Sequence, residues 1–306
     1  MTKQASNNSG SASPCTAMTL YSKPVVHSIN GAWFSRDGTL HPNIIPNMTA
    51  WKAEAEQVGF KVRLWTDRNG LHEGLLTTLT ELGIEVIDHS QLSRSRFYPY
   101  FAYFHRLGMK GDKAAFALAS DVLRMAIIEH ASLADCCVYA DPNDIKFVDL
   151  KRHLMKLKHS MRMCRQGFLF PIEMMETEKG LFCFLRNDTL IAHKILNPPF
   201  FLAYFSAYFK HLQDVAWRYI KPQNVCEARE FALSISNQII DSFFEIINSG
   251  MLLIRPTFIA DRPGSIDFRN SQLFLPSVRV HSAANTWVPR DRGDDEERWV
   301  ERLGVL

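Results

Sequence analysis

The sequence predicts an α/β fold built on a mostly parallel sheet with helical insertions, and three observations carry that prediction. Between residues 25 and 87, short β-branched or aromatic runs alternate with helical patterns at the intervals of βαβ units. Two candidate strands run into acid, Asp67 after VRLWT and Asp141 after CVYA, and parallel sheets hold ligands outside the carboxyl ends of their strands. No GxGxxG turn follows the first strand, which disfavours a dinucleotide-binding enzyme such as a dehydrogenase.

The chain has 306 residues, 46% of them hydrophobic, enough to bury a substantial core. With no internal repeat and no clear linker, the expected organisation is a leader over residues 1–20, one domain over 21–290 and a charged tail over 291–306. The leader is rich in Ser, Asn, Ala and Thr, has nothing to bury, and is expected to be disordered. A formal charge of +3 with scattered lysines and arginines makes no case for nucleic acid. The six cysteines show no CxxC spacing and read as reduced packing residues. There is no basic-then-apolar signal at the start, and no run is long and uncharged enough to span a bilayer. The expectation is a soluble protein, cytoplasmic or exported without an ordinary cleaved signal.

Taken in order, VVHSI (25–29) reads as the first strand, followed by a loop holding Gly31, Trp33 and Gly38. A helix with Met48, Trp51, Ala55 and Val58 on its face leads to a second strand from Phe60 to Trp65. That strand ends at Thr66-Asp67-Arg68-Asn69-Gly70; a helix to about Leu82 then precedes strand Ile84 to Ile87. Residues 93–110 crowd aromatic and basic side chains, as either a helix closing onto the core or a stacking surface for a nucleic base.

From Ala114 the spacing of Phe116, Ala119, Leu123 and Ile127, with further apolar residues between, predicts a helix buried nearly all round. Asp121 and Arg124 are set into it three residues apart, on one face. Charges so placed lose hydration and rarely repay it as stability even when paired. The pair is either a structural ion pair or a functional one. CVYA then reads as a strand ending in Asp141-Pro142-Asn143-Asp144, either ordinary turn chemistry or oxygen ligands for a hard divalent cation. The order and spacing of the two features together favour function.

Residues 151–165 place six basic side chains among Leu and Met, as an amphipathic helix touching an acidic partner or membrane surface, or as a solvated helix face. GFLFPIE and GLFCFLR read as two strands, the second ending at Asn187-Asp188. Pro198 and Pro199 open a helix dense in Phe and Tyr, read as core or interface rather than membrane. A helix from Ala228 to Asn248 follows, then short strands MLLI and LFLP, then HSAANTW.

Four patches, in order, resemble the GT-A glycosyltransferases of bacterial toxin type: the catalytic domain of the clostridial large glucosylating toxins and the related Asp-x-Asp, mannosyl-type sugar transferases. VVHSI with Pro46, Asn47 and Trp51 resembles the opening strand and tryptophan helix, and VRLWTDRN the second strand. ALASDVLRMAII is similar to the Ala-Ser-Asp-x-Leu-Arg helix, and CVYADPND stands where the family has Tyr-x-Asp-x-Asp. FLRNDTLIA and HSAANTW resemble, more weakly, a later strand bearing an Asn and a C-terminal lid with His and Trp. Two departures are visible: Asn143 replaces the second acid, with Asp144 one place later, and Leu133-Ala134-Asp135 replaces the Gly-Gly before the strand.

The resemblance, over residues 24 to about 290, implies a Rossmann-like nucleotide-diphospho-sugar transferase fold. It implies that Asp121 and Arg124 bind donor-sugar hydroxyls, that His27, Ile29 and Asp67 frame the uracil and ribose, and that Tyr139 and Asp141 line the nucleotide. Asn187 would face the reaction centre and Trp287 would close over the diphosphate. Asp141, Asn143 and Asp144 would hold manganese or magnesium. The activity implied is transfer of a hexosyl or N-acetylglucosaminyl group from a UDP-sugar to a protein or glycan acceptor, with retention, in a bacterial effector or toxin-like enzyme. The alternative is a catalytically impaired nucleotide-sugar-binding or docking module on the same fold.

Overall fold

A computed structural model describes residues 27–131, 136–147, 168–169, 172–177, 180–185, 188–192, 198–216, 218–219, 235, 238–239, 241–242, 245, 257–258, 266–267 and 279–281. The chain runs β1 (Ser28–Ala32), α1 (Ile44–Glu56), β2 (Lys61–Thr66), α2 (Glu73–Glu81), β3 (Glu85–Asp88), α3 (Tyr98–Met109), α4 (Lys113–Ala131) and β4 (Cys137–Ala140). Next come β5 (Ile145–Phe147), β6 (Phe168–Leu169), β7 (Ile172–Thr177), β8 (Gly180–Leu185), β9 (Thr189–Ala192) and α5 (Pro198–Ala216). The short strands β10 (Thr257–Phe258) and β11 (Ile266–Asp267) pair with each other, and β12 (Arg279–His281) pairs with β5.

The fold is mixed α/β around a mostly parallel six-stranded sheet of order β3-β2-β1-β4-β9-β6. β3, β2, β1 and β4 run parallel to one another, while β9 runs antiparallel to both β4 and β6. The chain leaves β1 on one side to build β2 and β3, then returns to place β4 on the other. The carboxyl ends of β1 and β4 therefore flank the point where strand order reverses, the position at which open α/β sheets form a ligand crevice.

Helices cover both faces. Tyr139 of β4 meets Ser120 and Arg124 of α4, and Asn30 of β1 lies opposite Tyr139 in register. Gly31, the next residue along β1 and so on the other face, lies against Trp51 of α1. The first strand thus runs later than VVHSI, through Gly31 to Ala32, with every residue buried. A Cβ at Gly31 would lie 3.1 Å from Trp51 and 3.2 Å from Pro142, so its bare backbone is what lets α1 and the acidic turn close over the strand.

α1 buries Ile44, Met48, Trp51 and Ala55, and Val58 lies beyond its end beside Gly59, which turns the chain at φ +73°. In α4, Val122, Leu123 and Met125 through Ile128 are all fully buried, as the spacing demanded. The aromatic stretch becomes α3 closing onto the core: Phe97, Phe101 and Phe104 are fully buried, and the Phe97 ring packs 5.4 Å from that of Tyr208 in α5. α5 opens at Pro198 as expected and buries Phe200, Phe201, Tyr204, Phe205 and Tyr208. Among the described residues no helix is long and apolar enough to cross a membrane.

After residue 165 the expected strand GLFCFLR appears as β8, while GFLFPIE differs from expectation. GFLFPIE contributes to two strands, β6 and β7, which pair with different partners. β7 and β8 form a hairpin apart from the main sheet, and the strand that joins that sheet is β9, TLIA. The leader 1–20, the basic stretch 151–165, Asn187, strands MLLI and LFLP, Trp287 and the tail 291–306 lie outside the described residues.

Candidate functional site

The charges predicted in α4 meet the acid that ends β4. Arg124 Nη2 lies 2.9 Å from Asp121 Oδ1 and 2.7 Å from Asp141 Oδ1. The guanidinium stands 4.7 Å above the Tyr139 ring centroid, a cation–π contact. Tyr139 Oη donates to Asp141 Oδ1 at 3.2 Å and shares a 3.3 Å hydrogen bond with Ser120 Oγ. Side-chain exposure rises from 3% at Arg124 to 11% at Asp121 and 22% at Asp141, so the cluster opens to solvent at Asp141.

Burial works to lower the Arg124 pKa, but Asp141 and Asp121 outweigh it and hold the guanidinium charged. Burial first, then Asp121, Asp188 and Asp144, push the Asp141 carboxyl up to about 7 against the pull of Arg124. Burial and the Asp141 charge likewise raise the Tyr139 phenol, which stays neutral and able to donate. Among the described residues the cluster holds more carboxylate than cation.

Two contributors were not foreseen. Asp188, just before β9, is 5% exposed, and its carbonyl accepts from Asp141 N–H at 3.0 Å. An acid placed directly before the strand TLIA was the available signal, beside the predicted Asn187. Tyr208 of α5 is fully buried, and its hydroxyl has no hydrogen-bond partner among the described residues. Burial and then the Asp121 charge raise its pKa. No sequence signal separated Tyr208 from the other aromatics of that helix.

The remaining candidates are distributed more widely. Asp67 follows β2 on the same carboxyl edge, but β1 separates that strand from β4, and its side chain accepts from Gly70 N–H at 3.2 Å. His27 precedes β1, at the amino edge, where Nδ1 accepts from Cys136 N–H at 3.1 Å and the ring stacks on Phe60. Ile29 is fully buried on the α1 face of the sheet, opposite the α4 cluster. The structure brings together Asp121, Arg124, Tyr139 and Asp141, with Asp144 and Asp188 close enough to act on Asp141 electrostatically. It does not bring His27 or Ile29 to them. Asn143 is buried in the turn and its carbonyl accepts from Asn43 Nδ2 at 3.2 Å.

Among the described residues no three His, Cys, Asp or Glu side chains converge as a ready metal cage. What Asp141, Asp144 and Asp188 provide is a set of carboxylate oxygens close enough to influence one another. That fits a hard divalent cation held by one or two carboxylates and completed by phosphate oxygens and water, the usual binding mode of magnesium.

The fold and this cluster together define a class: a mixed α/β protein with a mostly parallel sheet and a charged side-chain cluster at its topological switch point. No protein-family model matches the chain, and no curated protein matches it. Among solved structures it is similar to the PaToxG glycosyltransferase, at 15% identity over 75% of this chain and 74% of that one, with a TM-score of 0.43. It is also similar to a transferase solved as a double cysteine-to-serine mutant, at 12% identity over 72% and 89% of the two chains, TM-score 0.35. A third is the catalytic domain of alpha-toxin from Clostridium novyi, at 11% identity over 75% and 64%, TM-score 0.33. These likenesses are distant, and the functional reading below rests on the site.

Proposed function

We propose that the chain is a metal-dependent GT-A-type glycosyltransferase that moves a sugar from a nucleotide diphosphate sugar, a UDP-sugar, to a protein or glycan acceptor. The observation that carries this is the buried Asp121–Arg124–Asp141 cluster, opening at the carboxyl end of β4 beside the strand-order reversal. Such a cluster costs stability where a packed apolar side chain would not, which points to a ligand. Its chemistry suits a polyhydroxylated one: Asp121 accepts from sugar hydroxyls, Arg124 donates in a fixed fork, and neither needs to change protonation state.

In this reading Asp141, with Asp144 and Asn143 of the same turn, holds a manganese or magnesium ion against the donor diphosphate. When bound, the ion would neutralise charge developing on the leaving diphosphate. Arg124 orients the Asp121 and Asp141 carboxylates, and Tyr139 holds Asp141 from beneath. For a retaining transfer no separate side-chain base is assigned; the acceptor proton passes to a phosphate oxygen of the departing diphosphate. Asn187 and Trp287 are proposed to face the reaction centre and to close over the diphosphate; Asp67 is proposed for the nucleoside.

The second reading, a catalytically impaired sugar-nucleotide-binding module, is favoured by one observation. Asn143 stands where the resemblance places the second acid, and its side chain is buried. A toxin-like effector role and a partner contact through 151–165 belong to the same proposal. The test is a thermal-shift and hydrolysis panel with UDP-glucose, UDP-N-acetylglucosamine, UDP-galactose and GDP-mannose, each with and without manganese, on wild type, Asp121→Ala and Asp141→Ala. Manganese-dependent turnover of one donor, lost in both variants, is expected. Binding without turnover supports the second reading, and no response to any donor overturns both.

A further inference from the structure

Three side chains on one face of α1 reach the backbone of the acidic turn. Asn43, Asn47 and Trp51 recur at four-residue intervals and so form a row along the helix. Asn47 Nδ2 donates to Pro142 O at 2.9 Å, Asn43 Nδ2 to Asn143 O at 3.2 Å, and Trp51 Nε1 to Ile145 O at 2.9 Å. The Pro142 and Asn143 carbonyls lie in the turn between β4 and β5, where carbonyls outside a ladder need other partners, and the Ile145 carbonyl stands at the start of β5.

Asn43 makes the direction of this arrangement plain. It occupies the N-cap position of α1, where an asparagine ordinarily accepts from its own helix's free amides. Here it makes no side-chain cap bond and donates across to the turn instead. Asn47 and Trp51 are buried, at 8% and 0% exposure, and Gly31 leaves room for Trp51 and Pro142 to meet. On its other flank the turn is tied through Asp141 N–H to the Asp188 carbonyl, and within itself through Asp144 and Ile145 N–H to the Asp141 carbonyl.

We propose that Asn47, flanked by Asn43 and Trp51, is a positioning residue for the donor site. It fixes the path of residues 141–145 so that the Asp141 and Asp144 carboxylates are held ready for a divalent cation. The inference rests on the transferase reading above. Without these bonds the carbonyls of the turn would have to find other partners, and its path would be held only by the bonds within it and to Asp188. Tethered from α1, the turn meets the cation already ordered, and no ordering cost falls on the binding step. Partners one step behind a metal site typically change its affinity by roughly 10- to 100-fold when removed.

The experiment titrates manganese alone into the full chain, reading free ion by electron paramagnetic resonance, for wild type, Asn47→Ala, Asn43→Ala and the control Thr49→Ala. Thr49 is exposed, and its hydroxyl donates to Ile45 O within the same helix. Amide exchange at Asp144 and Ile145 and thermal unfolding are recorded in parallel. Expected is a loss of manganese affinity of about tenfold or more in Asn47→Ala with faster exchange at those two amides, a smaller loss in Asn43→Ala and none in the control. A merely structural role would lower the unfolding temperature but leave the affinity of the folded protein unchanged, and that result overturns the inference. Should Asn47→Ala not fold, Asn43→Ala carries the same comparison. Wild type that binds no manganese overturns the metal reading itself, and the positioning role with it.

Discussion

Arg124 is the residue on which the site's electrostatics turn. It is buried, with Asp121 and the partly exposed Asp141 both against one nitrogen, so its removal leaves two acids facing each other without the guanidinium between them. Arg124→Met is expected to destabilise the protein by about 3–5 kcal/mol in urea unfolding. A loss under about 1 kcal/mol would mean that solvent already reaches these carboxylates. Asp141 supplies a pH signature. Its carboxyl stands at about 7 in the folded chain against an ordinary 3.8, because burial and neighbouring acids outweigh Arg124. Between those values the folded state keeps a proton that the unfolded state has lost, so this group's contribution to stability falls as pH rises through the interval. Asp141→Asn, which cannot titrate, should therefore gain on wild type between about pH 4 and about pH 7, and the gap should be flat above that. An unchanging gap across the whole range would show the carboxylate ionised throughout.

Among the elements, α3 and α4 meet most closely at Gly108. A Cβ there would lie 2.5 Å from Phe116 Cδ1 and 2.7 Å from its Cγ, so the ring must move at its root. Gly108→Ala is expected to cost about 1–3 kcal/mol of stability by overpacking, measured by chemical denaturation, with donor binding retained in the folded fraction. α4 was readable from periodicity because a helix surrounded by core writes its burial into consecutive residues. α3 was ambiguous because aromatic and basic residues serve a core helix and a stacking surface equally well. Burial of Phe97, Phe101 and Phe104 decided for the helix. TLIA fell within a patch that resembled a later strand, but three apolar residues after a threonine carry no period, and only pairing with β4 shows it to be a central strand of the main sheet.

At the scale of the whole molecule, binding at a switch-point site should stabilise the fold by mass action. UDP with manganese, at about a hundred times the dissociation constant, is expected to add about 2.7 kcal/mol to unfolding stability. Chelation by EDTA should return the unfolding temperature to that of the ligand-free chain. A nucleotide-induced shift indifferent to EDTA would remove the cation from the donor site while leaving the site itself standing.

Local chemistry let the sequence alone determine the alternation of strand and helix, the buried α4 with Asp121 and Arg124 on one face, and the acidic end of β4. Each of these depends on residues within a turn or two of one another. The tertiary structure alone decided that strand order reverses between β1 and β4, which makes Asp141 a switch-point residue and leaves His27 at the far edge. It alone decided that the Asp188 carbonyl receives the Asp141 N–H, and that Asn47 donates to a carbonyl 95 positions away. The physical reason is that a backbone carbonyl or a sheet edge accepts any donor that reaches it. Which donor arrives is set by packing and chain closure across the whole fold, and no local pattern encodes that.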